Sequence, residues 1–149
     1  MDINDYLREL NTSRTSADQM GEYVRQIKRL REEADQYDEY SPGGMVEKIR
    51  LLTDAHMIMG RVSAQKDGDY AKIHVLRDNV DAEARATAKR GEKEVAAARA
   101  TADLRMIEAD ALEQKAYWKN ELNSVKEKIY ELRLRVRIEM HITGGGVHG

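Results

Sequence analysis

The chain has 149 residues with one Pro, one Trp, no Phe, no Cys, 35% charged residues and a formal net charge of -2, a poor composition for a compact globule with a broad apolar core. The lack of Cys excludes disulfides, thiol nucleophiles and thiolate metal sites. No apolar run approaches the ~20 residues that cross a bilayer, and MDINDYLREL is too acidic and polar for a signal peptide, so a soluble, cytoplasmic protein is expected.

Residues 1–40 read as an acidic helical segment. Asp2 to Leu10 places Ile3, Tyr6, Leu7 and Leu10 on one side of a short helix, and Asn11-Thr12-Ser13 breaks it. A second helix starts at Ser16, whose hydroxyl and Gln19 have the spacing of a capping box. It runs to about Tyr37 through Met20, Tyr23, Val24, Ile27 and Leu30. Its end carries Glu32, Glu33, Asp35, Asp38 and Glu39, either a solvated face or a contact for a partner or for a basic groove. Ser41-Pro42-Gly43-Gly44 then reads as a hinge over 41–44 that makes the N-terminal segment separable.

Residues 45–142 read as a long antiparallel helical hairpin, coiled-coil-like, in an all-α fold. The first arm carries Met45, Ile49, Leu52, Met59, Val62, Tyr70, Ile73, Leu76 and Val80, with His56 and Lys66 filling the gaps; the mean step near 3.5 residues favours supercoiling against a partner. Asp67-Gly68-Asp69 either weakens this helix locally or breaks it, and because the stripe resumes in phase we read a continuous or kinked helix. Residues 81–103 hold nine Ala and only Val95 as a large apolar residue, too little to anchor a core, and Gly91 places the tip near 85–95.

The return arm has Leu104, Ile107, Ala111, Trp118, Leu122, Val125, Ile129, Leu132, Val136 and Met140 on one stripe, with Gln114 in its single long gap. At about 1.5 Å per residue this helix is about 55 Å long. Trp118, Leu122, Val125, Ile129, Leu132 and Val136 are the packing candidates. Residues 143–149 read as a flexible tail. Such narrow seams stabilise a monomer poorly, so a homo-oligomer is expected.

Charge is unevenly spread. Residues 1–59 carry eight basic and twelve acidic side chains, whereas 115–137 carry seven basic and three acidic. The tip offers Arg85, Lys89, Arg90 and Lys93 against Glu92 alone. A pI near 6 argues against a dedicated duplex binder, yet a local basic face attracts phosphate.

Catalytic signatures are absent: no P-loop, GxGxxG after a strand, HExxH or GxSxG occurs. His56, His74, His141 and His148 make no i,i+4 metal pair, and Glu32-Glu33 and Asp67/Asp69 sit beside no apolar run that would raise a pKa. No enzyme, metal or cofactor is expected. Tyr117-Trp118-Lys119 has the residue types on which single-stranded nucleic acid stacks, although Trp118 falls on the apolar stripe. Arg133 and Arg137 share a helical face and Arg135 points elsewhere, so the three make no single phosphate clamp.

From about Val46 to His141, two thirds of its length, the chain resembles the phage recombination mediators of the UvsY type. The resemblance is carried by a long helix ending in a basic, small-residue turn, then by ATADLRMIEADALEQKAYWKNEL with its Tyr117-Trp118 pair and by SVKEKIYELRLRVRIEM. It implies a small helical protein of the phage-infected bacterial cell that assembles into a ring and binds single-stranded DNA. It also implies that the protein helps load a RecA-like recombinase onto strands coated by single-strand-binding protein. In that family basic residues near mid-chain meet DNA, and here Lys72, Arg77, Arg85, Lys89, Arg90 and Lys93 occupy that region, with Arg133 and Arg137 as a further basic pair. The competing reading is a structural, adaptor or inhibitor protein acting through protein contacts, which the acidic N-terminal segment favours.

Overall fold

The computed structural model describes Asn4, Asp5, Arg8 and residues 17–147, with side chains through His141. Among the described residues the regular structure is all helical: α1 (Ala17–Asp35), α2 (Pro42–Thr87) and α3 (Lys93–Val147). No described helix is long and apolar enough to cross a membrane. Of the expected Asp2–Leu10 helix only Asn4, Asp5 and Arg8 are described, all three helical with Arg8 4.0 Å from Asp5, and the Ser16 cap lies outside the described residues.

The described residues fall into two compact units, through both of which α2 and α3 run. The base unit holds Ala17–Val62 and α3 from Lys119 onward. Its buried apolar residues are Ile27 and Ala34 of α1, Met45, Leu51, Ala55, Met59 and Val62 of α2, and Val125, Ile129 and Leu132 of α3, with Lys48 buried beside them. Because α2 meets two helices here, it is buried over a wider arc than a single seam requires. Met45, Leu52, His56 and Met59 lie on one side of that arc, while Leu51, Ala55 and Val62 lie on the side where Arg61 approaches the Tyr23 ring of α1, 5.9 Å from its centroid.

The Pro-Gly-Gly stretch is the start of a helix rather than a hinge. Ser41 Oγ accepts the Gly44 N–H at 3.2 Å, a cap at the helix N-terminus, and Pro42 occupies the first helical position, where its missing N–H and fixed φ cost nothing. The Asp38 carbonyl oxygen lies where a Cβ on residue 44 would stand, so only glycine fits. Residues 17–40 are therefore part of the base unit rather than a detachable arm.

The tip unit, Ser63–Trp118, has two helices joined through Gly91, whose φ of 90° suits only glycine without strain. The Glu92 N–H bonds the Lys89 carbonyl at 3.0 Å, and the Ala96 N–H then bonds Glu92 at 3.0 Å. Its buried side chains are Ser63, Asp69, Ile73 and Leu76 on α2 and Ala97, Thr101 and Leu104 on α3. The alanine-rich stretch thus does contribute to a core. Ala97 and Thr101 let two backbones approach closely, and Thr101 satisfies its hydroxyl on the Ala97 carbonyl at 2.7 Å. Asp67-Gly68-Asp69 passes through unbroken helix.

Two further expectations change. The α3 backbone stays helical through Val147, past the tail boundary drawn at residue 143, even though Gly144, Gly145 and Gly146 are poor helix formers. Trp118 is half-buried rather than a core residue; Leu122 and Val136 are also half-buried, whereas Val125, Ile129 and Leu132 are buried.

Candidate nucleic-acid interface

The six mid-chain cations separate into committed and uncommitted groups. Arg77 is held by Glu108 and by Asp78 at 3.4 Å. Glu108 also takes His74 Nδ1 at 2.9 Å, and His74 Nε2 lies 3.5 Å from Asp78, so Arg77 belongs to a four-member polar cluster that ties α2 to α3. Arg85 is paired with Asp81 at 2.9 Å, one turn back on α2. Lys72 is exposed and has an interaction partner of its own. Lys89, Arg90 and Lys93 remain: all three are exposed, surround Gly91 and have no ion-pair partner among the described residues. Their separation follows from the chain, since the turn interrupts the i,i+4 spacing through which a helical cation finds an acid.

The aromatic pair lies on the same unit. Tyr117 is 54% exposed and meets Trp118 edge-on, centroids 5.5 Å apart with the planes at 88°. The exposed Tyr117 ring leaves a face for a base to stack on, while Trp118 braces it. Lys115, 4.8 Å from the Tyr70 centroid, is a cation-π partner within the unit.

Arg133 and Arg137 lie on the base unit, one turn apart on α3. With Ile49, Val136, Met140 and His141 they line an open groove of about 520 Å³. Neither arginine has an ion-pair partner among the described residues, and no carboxylate lines the groove. Arg135, two residues from each, faces the other flank. There Glu39 binds three cations: Lys128 at 2.8 Å, Arg135 at 3.4 Å and Lys48 at 3.9 Å. Arg135 also donates to the Glu39 carbonyl at 2.6 Å.

The Lys128 hydrogen bond, aided by the charges of Lys128 and Lys48 and by Arg135, holds the Glu39 carboxyl below the usual carboxylate range; the Glu39 bond in turn raises Lys128. Sequence reading missed this hub. Glu39 looked like one more solvated acid in DQYDEY, and its partners lie more than eighty residues away except Lys48. The only available signal was the opposite charge of segments 1–59 and 115–137.

The chain matches no protein-family model, no curated protein and no solved structure.

Proposed function

We propose that this protein is a non-enzymatic, single-stranded DNA-binding recombination mediator that helps load a RecA-like recombinase. In this reading α2 and α3 form one long antiparallel, coiled-coil-like hairpin, and the protein works as a homo-oligomer that also meets single-strand-binding protein. The observation that carries it is the group of three uncommitted cations, Lys89, Arg90 and Lys93, displayed around the Gly91 turn. Cations free of intramolecular acids release counterions when they meet phosphate, which gives sequence-independent affinity. The exposed Tyr117 ring adds a surface on which any base can stack. Neither group needs a cofactor.

Fluorescence anisotropy of a labelled oligothymidylate, titrated across a range of salt concentrations, tests the reading. The wild-type protein should bind with a steep salt dependence. Replacing Lys89, Arg90 and Lys93 by Ala should lower the slope of log K against log salt by about 2, three contacts at roughly 0.7 each for a single strand. Helicity should be unchanged. No binding at low salt, or a slope unaffected by the triple variant, overturns the reading.

The groove at Ile49, Arg133, Val136, Arg137 and Met140 favours a second reading, an adaptor or inhibitor acting through protein contacts. An apolar floor between two cations suits an acidic amphipathic segment better than a phosphate backbone. In that case Arg133→Ala/Arg137→Ala leaves oligonucleotide binding intact and weakens a protein complex.

A further inference from the structure

Beside Glu39 the base unit holds a half-open pocket of about 200 Å³, lined among others by Arg31, Asp35, Glu39, Lys48, Ser124 and Lys128. It is many times larger than the ~10–15 Å³ that one water requires. Lys48 is only 9% exposed, yet its ammonium makes no hydrogen bond among the described residues; its nearest carboxylate oxygen, Glu39 Oε1, is 3.9 Å away. That oxygen already takes Lys128 at 2.8 Å, and Glu39 Oε2 takes Arg135 at 3.4 Å. Glu131 is 3.6 Å from both Lys128 and Arg135, and Glu121 is taken up by Arg31 at 2.7 Å. Ser124, with its hydroxyl, makes no hydrogen bond among the described residues. The Lys48 stem is thus buried while its ammonium, held only by the loose 3.9 Å pairing with Glu39, keeps donors free for a ligand in the pocket, and the exposed Ser124 adds a hydroxyl.

We propose that this pocket binds a small phosphate-class oxyanion that carries a proton, held by the Lys48 ammonium with Arg31, Lys128 and the Ser124 hydroxyl around it. Its oxygens would accept from these donors. The two carboxylates on the wall set the selectivity. Asp35 and Glu39 repel a fully deprotonated anion but accept a hydrogen bond from the P–OH of hydrogen phosphate or of a singly protonated phosphate monoester. Sulfate at neutral pH has no proton to offer, and neither has the phosphodiester of a DNA backbone. The site is therefore distinct from the strand contacts assigned to Lys89, Arg90 and Lys93, and it stands or falls independently of them.

Isothermal titration calorimetry with sodium phosphate and sodium sulfate at matched ionic strength, accompanied by thermal melts, tests the proposal. The wild-type protein should bind one phosphate per chain saturably, its melting temperature rising with the logarithm of phosphate concentration. Sulfate should bind at least about tenfold more weakly, the loss expected for a hydrogen bond to a charged group. Lys48→Met keeps the stem and removes the ammonium, so it should stay folded without phosphate and lose the phosphate response. Ser124→Ala, at an exposed position, should weaken binding several-fold, and Asp35→Asn should narrow the preference over sulfate. Equal wild-type responses to phosphate and sulfate would overturn the proposal, as would a saturable phosphate response surviving in Lys48→Met. Competition by an oligothymidylate without terminal phosphates would assign the pocket to the nucleic-acid backbone and overturn the selectivity argued here.

Discussion

The base and tip units are built from the same two long helices, yet they solve burial differently. In the base, α1 supplies a third element, so Leu51, Ala55, Met59, Val62 and Leu132 are almost wholly enclosed. In the tip two helices have only each other. They compensate with small residues, Ala97 and Thr101, and with the His74–Glu108–Arg77 cluster. Two helices can enclose one row of side chains, and a third helix is needed to enclose a second.

The sharpest way to break this comparison is a matched pair of leucine truncations. Leu132→Ala, at 0% exposure in the base, should cost about 3–4 kcal/mol in urea denaturation. Leu104→Ala in the tip should cost about 2 kcal/mol, because a two-helix seam collapses more easily around a lost side chain. Equal costs would mean that the tip is as tightly supported as the base.

Gly44→Ala comes next, at about 2 kcal/mol, because the new methyl collides with the Asp38 backbone carbonyl and not with a side chain that could turn away. Hydrogen exchange should show the extra opening near residues 36–45 and leave the tip unchanged. If the tip opens as well, the two units do not unfold independently.

Glu39→Gln sharpens the electrostatic side of the comparison and should cost about 1 kcal/mol at neutral pH. The Glu39 carboxyl is depressed in the folded state, so its contribution is fully present above the unfolded carboxylate range and is lost as pH falls through the lower folded value. Wild-type stability should therefore decline more steeply below about pH 4.3 than that of Glu39→Gln. Melts from pH 3 to 7 check this, and parallel curves would remove Glu39 from the account.

Much of the fold was legible in the sequence. Apolar residues at three- and four-residue spacing marked all three helices, and Gly91 between basic residues marked the turn. What escaped was set by distant neighbours. Leu51 and Ala55 fall off the α2 stripe when only one partner helix is assumed, and Ala97 and Thr101 are too small to register as core until two backbones come close. Ser41-Pro42-Gly43-Gly44 was misread because proline and glycine serve both flexible joints and tight helix starts; the position of the Asp38 carbonyl decides between them. Of the candidate site, the tip cations were visible as a charge run, but which had already found an acid depended on Glu108 and Asp81. The Glu39 hub joins segments ninety residues apart, and no local pattern predicts it.

Gly91 also determines the molecularity of folding. A Cβ there would meet no atom within 4 Å, so the penalty for a side chain is purely conformational, roughly 1–2 kcal/mol for the left-handed backbone. A chain that avoided this penalty by continuing the helix would run as one rod from Pro42 to Val147, and its two arms could then be satisfied only by a second chain. Gly91→Val should accordingly make the midpoint of the tip's melt rise more steeply with protein concentration than in the wild type. One hydrogen atom in place of a side chain lets the tip find its partner helix within its own sequence.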